Sequence, residues 1–169
     1  RFPVQGVDDE GIDGVFNHMG VNSWAFKDVQ KNQEKSKYKD WFTVKSWDDK
    51  SKGTKFEYEG WFGVKELPEL KEDENGIVEG PKQYIFNITK RWMDPDNDGN
   101  SEDGIDGWRL DVAFCVKHEF WKDWRKVVKS INPQAYLTAE IIDSVSANKP
   151  YLEGDEFDAV MNYNFLFAT

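Results

Sequence analysis

At 169 residues the chain is long enough for one domain with its own core. Its formal charge of −10, from 32 acidic against 22 basic residues, excludes a broad basic face of the kind that binds nucleic acid. The single cysteine, Cys115, excludes an internal disulfide, and no stretch reads as a membrane span or a secretory leader, so the compartment stays open.

Asp8, Asp9 and Glu10 ahead of Gly11 read as a turn or a disordered lead-in, and Ile12 to Phe16 can form only a very short strand. From Met19 to about Gly80 the pattern is one of loops and short elements. Trp24, Phe26 and Val29, then Tyr38, Trp41 and Phe42, suggest local clusters joined by a lysine-rich connection. Lys45 to Lys55 is polar and reads as exposed. Phe56, Tyr58, Trp61 and Phe62 gather around Gly60 and Gly63 as an aromatic group in an irregular subdomain. With eight tryptophans and six tyrosines, most aromatic side chains belong in a core, but such flat faces also stack on sugar rings.

Pro81 suits a helix start, where its missing N–H costs nothing. Tyr84, Ile85, Ile88 and Trp92 mark one face, and Asp94-Pro95 ends the helix. Asp94, Asp96, Asp98 and Gly99 match the first half of an EF-hand loop, but its twelfth position is Ile105 rather than glutamate, which excludes an EF-hand proper. The default is a solvated acidic loop. The second reading is a non-standard calcium site, with Glu102, Asp103 and Asp106 as further oxygen donors.

Gly104 to Ala113 is a glycine-bounded turn running into a short strand. Alternation puts Arg109 and Asp111 on one face and Trp108, Leu110 and Val112 on the other. A solvated edge strand with a local ion pair would explain this. So would a carboxylate at a strand's C-terminal end, kept ionised by a neighbouring guanidinium. Phe120, Trp124, Val127, Val128 and Ile131 recur at helical spacing, and Pro133 to Glu140 is another strand candidate. The resulting βαβ unit puts Asp111 and Glu140 at equivalent ends of adjacent parallel strands, where α/β folds carry their chemistry. Two carboxylates across a cleft are the minimum set for glycoside hydrolysis. Cys115, beside a strand end, reads as a small buried apolar residue. Residues 144 to 156 read as a loop with one helical turn around Tyr151, and Phe157 to Tyr163 as a further short strand.

Three ordered motifs carry a resemblance. Asp13-Gly14-Val15-Phe16-Asn17-His18, the Gly107-to-Ala113 stretch and Thr138-Ala139-Glu140-Ile141 resemble the first three conserved regions of the alpha-amylase superfamily, the family 13 glycoside hydrolases. Leu67-Pro68-Glu69-Leu70-Lys71 resembles, with three replacements, an extra region of its neopullulanase and cyclomaltodextrinase group. The resemblance implies an α/β fold: part of a (β/α)8 barrel, which typically needs about 250 residues. Strands three to six would be present, with an irregular subdomain inserted after the third. The expected division is 1–18 for the first of these strands, 19–80 for the insertion and 81–169 for the continuing barrel. By the same resemblance Asp111 is the nucleophile, Glu140 the acid/base and Arg109 their charged neighbour. Like-charge repulsion from Asp111 is expected to raise the Glu140 pKa. Asp13, His18 and Trp61 are expected at the substrate, Asn17 at a calcium-linked position alongside Asp94, Asp96 and Asp98, and His118 in a structural role.

The sequence also departs from the family. The first strand lacks its usual apolar lead-in, Ile141-Ile142 replaces a tryptophan-containing continuation, and Phe114 and Cys115 stand where subgroup relatives carry polar residues. Nothing after Glu140 matches the family's fourth region with its third carboxylate, since Asn162-Tyr163-Asn164 holds neither a histidine nor an acid. The expected partner is an α-glucan (starch, pullulan or cyclodextrin). The expected reaction is retaining hydrolysis, with no cofactor beyond a structural calcium ion. The remaining barrel strands would come from the rest of a parent chain or an oligomer, and the chain in isolation would be inactive or impaired. Transglycosylation and non-catalytic glucan binding are the alternatives.

Overall fold

The computed structural model describes residues 11–167, so the acidic lead-in at Asp8 to Glu10 lies outside the described residues. In chain order the elements are β1 (Gly11–Gly14), α1 (Trp24–Asn32), β2 (Val44–Ser46), β3 (Glu57–Tyr58), β4 (Glu72–Asp73), β5 (Gly76–Ile77) and α2 (Glu79–Met93). Then follow β6 (Gly107–Leu110), α3 (His118–Ile131), β7 (Tyr136–Ala139), α4 (Val145–Asn148), β8 (Ala159–Val160) and α5 (Tyr163–Phe167). Strands β1, β6, β7 and β8 form one parallel sheet in that order. This is an α/β fold with the sheet of a partial (β/α)8 barrel and an inserted segment of short helix and two-stranded ribbons.

Register aligns the chemistry. Asp13 stands opposite Arg109 and Arg109 opposite Thr138, so the three strands end at the same level. The peptide links continue past the ladder: the Asp111 amide donates to the Gly14 carbonyl and the Glu140 amide to Leu110. The strands sit this close because Gly107 has no side chain, as a Cβ there would lie 2.4 Å from the Tyr136 carbonyl oxygen.

The core lies between the sheet and helices α2 and α3. Trp108 and Leu110, the apolar face of β6, meet Phe16, Phe120, Trp121 and Trp124, all almost fully buried. Trp108 and Trp124 cross edge to face at 5.7 Å and 82°. The indole N–H of Trp124 donates to Thr89 Oγ1 at 2.8 Å, and that of Trp121 to the Ala113 carbonyl at 3.0 Å, so two large rings are buried without losing their hydrogen bonds. Gly76, at φ +91°, lets β5 rest on α3, since a Cβ there would meet Phe120 Cβ at 2.7 Å.

Several elements differ from the sequence reading. Helix α2 starts two residues before Pro81, which falls third in the helix; the first-turn N–H groups have no intrahelical acceptor, so proline is tolerated there too. The buried face of α2 is Ile85, Phe86, Thr89 and Met93, while Trp92 is exposed. Thr89, a polar position on that buried face, accepts the Trp124 indole N–H. Ser23 caps α1, accepting from the Phe26 amide at 3.4 Å, and Ala25, Phe26 and Val29 are its buried face. The strand expected over 157–163 is only Ala159–Val160, because the chain turns into α5 at Tyr163. Asp158 anchors this end: it pairs with Arg125 at 2.7 Å and Lys129 at 3.2 Å and accepts from the Leu137 amide.

Leu67 to Lys71 is an extended strip between two parts of the chain. On one side Met19 donates to Pro68 O, and Leu70 to Asn17 O, at 3.0 Å each. On the other, Trp61 donates to Leu67 O at 2.9 Å and Lys71 to Trp41 O at 2.8 Å. The strip ties the inserted segment to the stretch just after β1. Among the described residues no helix is long and apolar enough to cross a membrane.

Candidate active site

Arg109 sits at the centre. Its guanidinium places Nη1 2.6 Å from Asp111 Oδ1 and 3.1 Å from Asp13 Oδ1, and Nη2 3.0 Å from Glu140 Oε2. Strand alternation predicts the contact with Asp111; the parallel register adds the other two. The Arg109 side chain is 18% exposed and Glu140 10%, so these charges meet out of bulk water, whereas Asp13 is 61% exposed and its pair is screened. The positive charge of Arg109 is reinforced: burial works against it, but its bonds to Asp111 and Asp13 and the Glu140 charge raise its pKa.

Both Glu140 oxygens accept hydrogen bonds from the protein. Oε2 also accepts from the Val112 amide at 3.0 Å, and Oε1 from the Tyr163 hydroxyl at 2.6 Å. Val112 reaches this geometry in the left-handed region, at φ 41° and ψ 43°, which is strained for a β-branched residue. The turn redirects the chain out of β6, and the Ala113 amide donates in addition to the Glu140 carbonyl at 3.1 Å.

These donors reverse the expected direction for Glu140. Burial pushes its pKa up, but the Tyr163 hydroxyl, the Val112 amide and the Arg109 charge together hold it below the ordinary glutamate value. Asp111 does not raise it either: its carboxyl, within hydrogen-bonding reach of Glu140, acts in the same downward direction.

His18 and Trp61 lie together. Their rings stack at 5.5 Å and 29°, and His18 Nδ1 is 3.1 Å from Asn17 Oδ1. Burial lowers the His18 pKa against an opposing pull from Asp111, which places the ring within the field of the carboxylate cluster. Trp61 Nε1 points at Cys115 Sγ, 3.4 Å away. Burial pushes the Cys115 thiol up, and the residue is half-buried rather than fully enclosed. It is a neutral packing group and an indole acceptor, not a reactive thiol. Phe62, beside Trp61, is 76% exposed with φ 47°. His118, the first residue of α3, bonds through Nδ1 to both oxygens of the buried Glu156 at 2.9 Å and rests on Tyr151, a structural contact.

The expected calcium ligands are not brought together as a set. Asn17 spends its oxygen on His18 and its amide on the Cys115 carbonyl at 3.3 Å, beyond the C-terminal end of β1. The Asp94 to Asp106 loop lies at the opposite, N-terminal end of β6. Within that loop the grouped carboxylates are Asp94, Asp96 and Asp103, whose oxygens lie within 4.8 Å of one another. Asp98 instead gives its amide to Asp94 and Asp96 and accepts from the Asn100 amide at 2.7 Å. Partial desolvation and the Asp96, Asp98 and Asp94 charges push the Asp103 pKa up, as expected of acids crowded together. Three carboxylates suit a hard divalent cation.

Sequence reasoning missed Tyr163. Asn162 to Asn164 holds neither an acid nor a histidine, so the motif pattern gives no signal there. Asp111 and Glu140 directly follow β6 and β7, whereas Tyr163 lies three residues past β8 as the first residue of α5, so strand-end position alone does not mark it.

Residues 11–169 match the alpha-amylase catalytic domain family. The chain belongs to that family. It is 43% identical over 155 residues to neopullulanase 2 of Thermoactinomyces vulgaris, covering 91% of this chain and 24% of that protein. It is 42% identical over 157 residues to a cyclomaltodextrinase of a Bacillus species, covering 93% of this chain and 26% of the relative. A solved cyclomaltodextrinase structure superposes with a TM-score of 0.75 at 42% identity, covering 94% of this chain and 25% of that one. The chain thus spans about a quarter of the length of the curated relatives it matches.

Proposed function

We propose that this chain carries the nucleophile and acid/base of a retaining α-glucan hydrolase whose remaining barrel strands are supplied by the rest of a longer parent chain. The observation that carries the reading is the Arg109 bridge, 2.6 Å to Asp111 and 3.0 Å to Glu140. A single guanidinium spanning both acids favours the close spacing of retaining enzymes, about 5–5.5 Å, over the wider gap of inverting ones. Asp111 attacks the anomeric carbon with a positive charge at its back. Glu140 gives a proton to the departing glycosidic oxygen and then takes one from the water that releases the glycosyl-enzyme. Glu140 is held down in the open site, and a bound sugar that expels water raises it toward the protonated form the first step needs.

His18 is placed to donate to the sugar, and Asp13 to hold Arg109 from β1. Trp61, stacked on His18, and the exposed Phe62 supply aromatic faces from the inserted segment. The division at residues 18 and 80 fits this arrangement, with 19–80 as the wall and Leu67 to Lys71 as its hinge to the barrel. The matched relatives' names make cyclomaltodextrins and pullulan the first substrates to try. Asp94, Asp96 and Asp103 are the proposed ligands of a structural calcium ion, remote from the chemistry.

The test is sugar release from cyclodextrin, pullulan and soluble starch by the full-length parent enzyme, with Glu140→Gln and Asp111→Asn alongside. Release that falls at least about 1,000-fold in both variants supports the reading. Release that survives either substitution contradicts it.

A further inference from the structure

We infer that Tyr163 is a positioning residue that selects which oxygen of Glu140 carries the catalytic proton. The inference rests on the acid/base role proposed above for Glu140.

Glu140 Oε2 faces the Val112 amide at 3.0 Å and Arg109 Nη2 at 3.0 Å. Both groups can only donate, so a proton placed on Oε2 would displace at least one of them; the Asp111 carboxyl, also in hydrogen-bonding reach of Glu140, already takes a 2.6 Å bond from Arg109. Oε1 faces the Tyr163 hydroxyl at 2.6 Å, and a hydroxyl can either donate or accept. When Glu140 is ionised, Tyr163 donates to Oε1. When Glu140 is protonated, the proton sits on Oε1 and the hydroxyl turns to accept from it or yields to the substrate oxygen. Oε1 is therefore the oxygen that does the acid/base work, and Oε2 is the fixed end by which Arg109 and the Val112 amide hold the carboxylate in place.

The step then balances. A lone pair of Asp111 forms the bond to the anomeric carbon, and the electron pair of the breaking C–O bond passes to the glycosidic oxygen, which takes the proton from Oε1. In the second step water attacks the anomeric carbon, its proton returns to Oε1 and the bond to Asp111 breaks. Tyr163 stays neutral throughout, and its bond to Glu140 pushes the phenol pKa up. The charged and titratable groups around the Glu140 carboxylate are Arg109 and Asp111 from the end of β6, Asp13 from β1 through Arg109, His18 through its interaction with Asp111, and Tyr163 from α5.

The experiment uses Tyr163→Phe in the full-length parent enzyme, with an α-glucan and an α-glucosyl fluoride as paired substrates. Fluoride departs without needing a proton, so only the glucan reports on the acid. The expected result is a fall of roughly 10- to 100-fold in kcat/KM on the glucan, a part of what general acid catalysis contributes. On the fluoride the change should stay within about threefold by the same logic. Loss of a donor to the carboxylate raises the Glu140 pKa, so the alkaline limb of kcat/KM moves up by about half to one pH unit. Equal losses on both substrates with an unmoved limb would reduce Tyr163 to a packing residue and overturn the inference. If the phenylalanine variant does not fold, a ring-fluorinated tyrosine at 163 keeps the shape and strengthens the donor. The limb must then move to lower pH, and a limb that stays put overturns the inference. A parent enzyme whose glucan hydrolysis survives Glu140→Gln removes the acid/base reading itself, which separates that failure from a failure of Tyr163 alone.

Discussion

Replacing Arg109 with methionine keeps the length of the side chain and removes the charge that three carboxylates share. The Asp13 contact is exposed at the carboxylate end and contributes little, well under about 1 kcal/mol. The bonds to Asp111 and Glu140 are charge-assisted and partly to largely buried, each worth about 1.5–3 kcal/mol. Together they predict a loss of about 3–5 kcal/mol near neutral pH, the range for breaking a buried pair by removing one partner. The loss is pH-dependent with a defined sign. In the native site Glu140 is depressed, so its contribution is present above the unfolded glutamate value, about 4.3, and is lost as pH falls through the folded value. Without Arg109 the Glu140 pKa rises relative to the parent's, so less of the carboxylate's stabilisation develops as pH rises and the deficit grows with pH. Urea unfolding of the full-length enzyme and the variant, followed by tryptophan fluorescence at pH 7 and pH 4, measures both arms. The gap should be large at neutrality and shrink at pH 4. A variant as stable as the parent at pH 7, or a deficit that does not change with pH, would refute the claim that one guanidinium holds the acids.

Two other outcomes follow from the same contacts. Thr89→Val leaves the fully buried Trp124 N–H without its 2.8 Å acceptor and should cost about 1–3 kcal/mol, read as a lower unfolding midpoint; no loss would mean that this bond does not stabilise the α2–α3 contact. Calorimetry on chelator-treated protein should show calcium binding that Asp103→Asn weakens by at least about tenfold while Asp98→Asn, whose carboxylate is turned to Asn100, weakens it less. Absence of heat in the unsubstituted protein would dispose of the ion.

What was legible in the sequence followed from local rules. Alternation along a strand fixed the shared face of Arg109 and Asp111, helical spacing outlined α3, and together they put Asp111 and Glu140 at matching strand ends. What was not legible depended on neighbours distant in sequence. The lowered Glu140 pKa needs Arg109 to reach across to β7 and Tyr163 to arrive from α5, and neither follows from the spacing of two carboxylates. Trp92 lies on the solvent side, and the inward face of α2 runs instead through Ile85, Phe86, Thr89 and Met93, a choice set by contacts between two helices that the spacing of one does not contain. Asp103 replaced Asp98 in the acidic group because the loop folds back on itself, so position in a linear motif did not determine which oxygens meet. Trp121, buried beside Phe16 and Trp124, escaped the helical pattern for a simpler reason: its neighbour Phe120 already marked that face.

The central claim is that Asp111 forms the covalent bond to sugar. The most direct measurement incubates the full-length enzyme with a fluorinated, slowly turned-over glucosyl fluoride and locates the adduct by peptide mass spectrometry. One glycosyl label is expected, on the peptide carrying Asp111, and it should disappear in Asp111→Asn. A label on another residue, or active turnover with no label on Asp111, would contradict it.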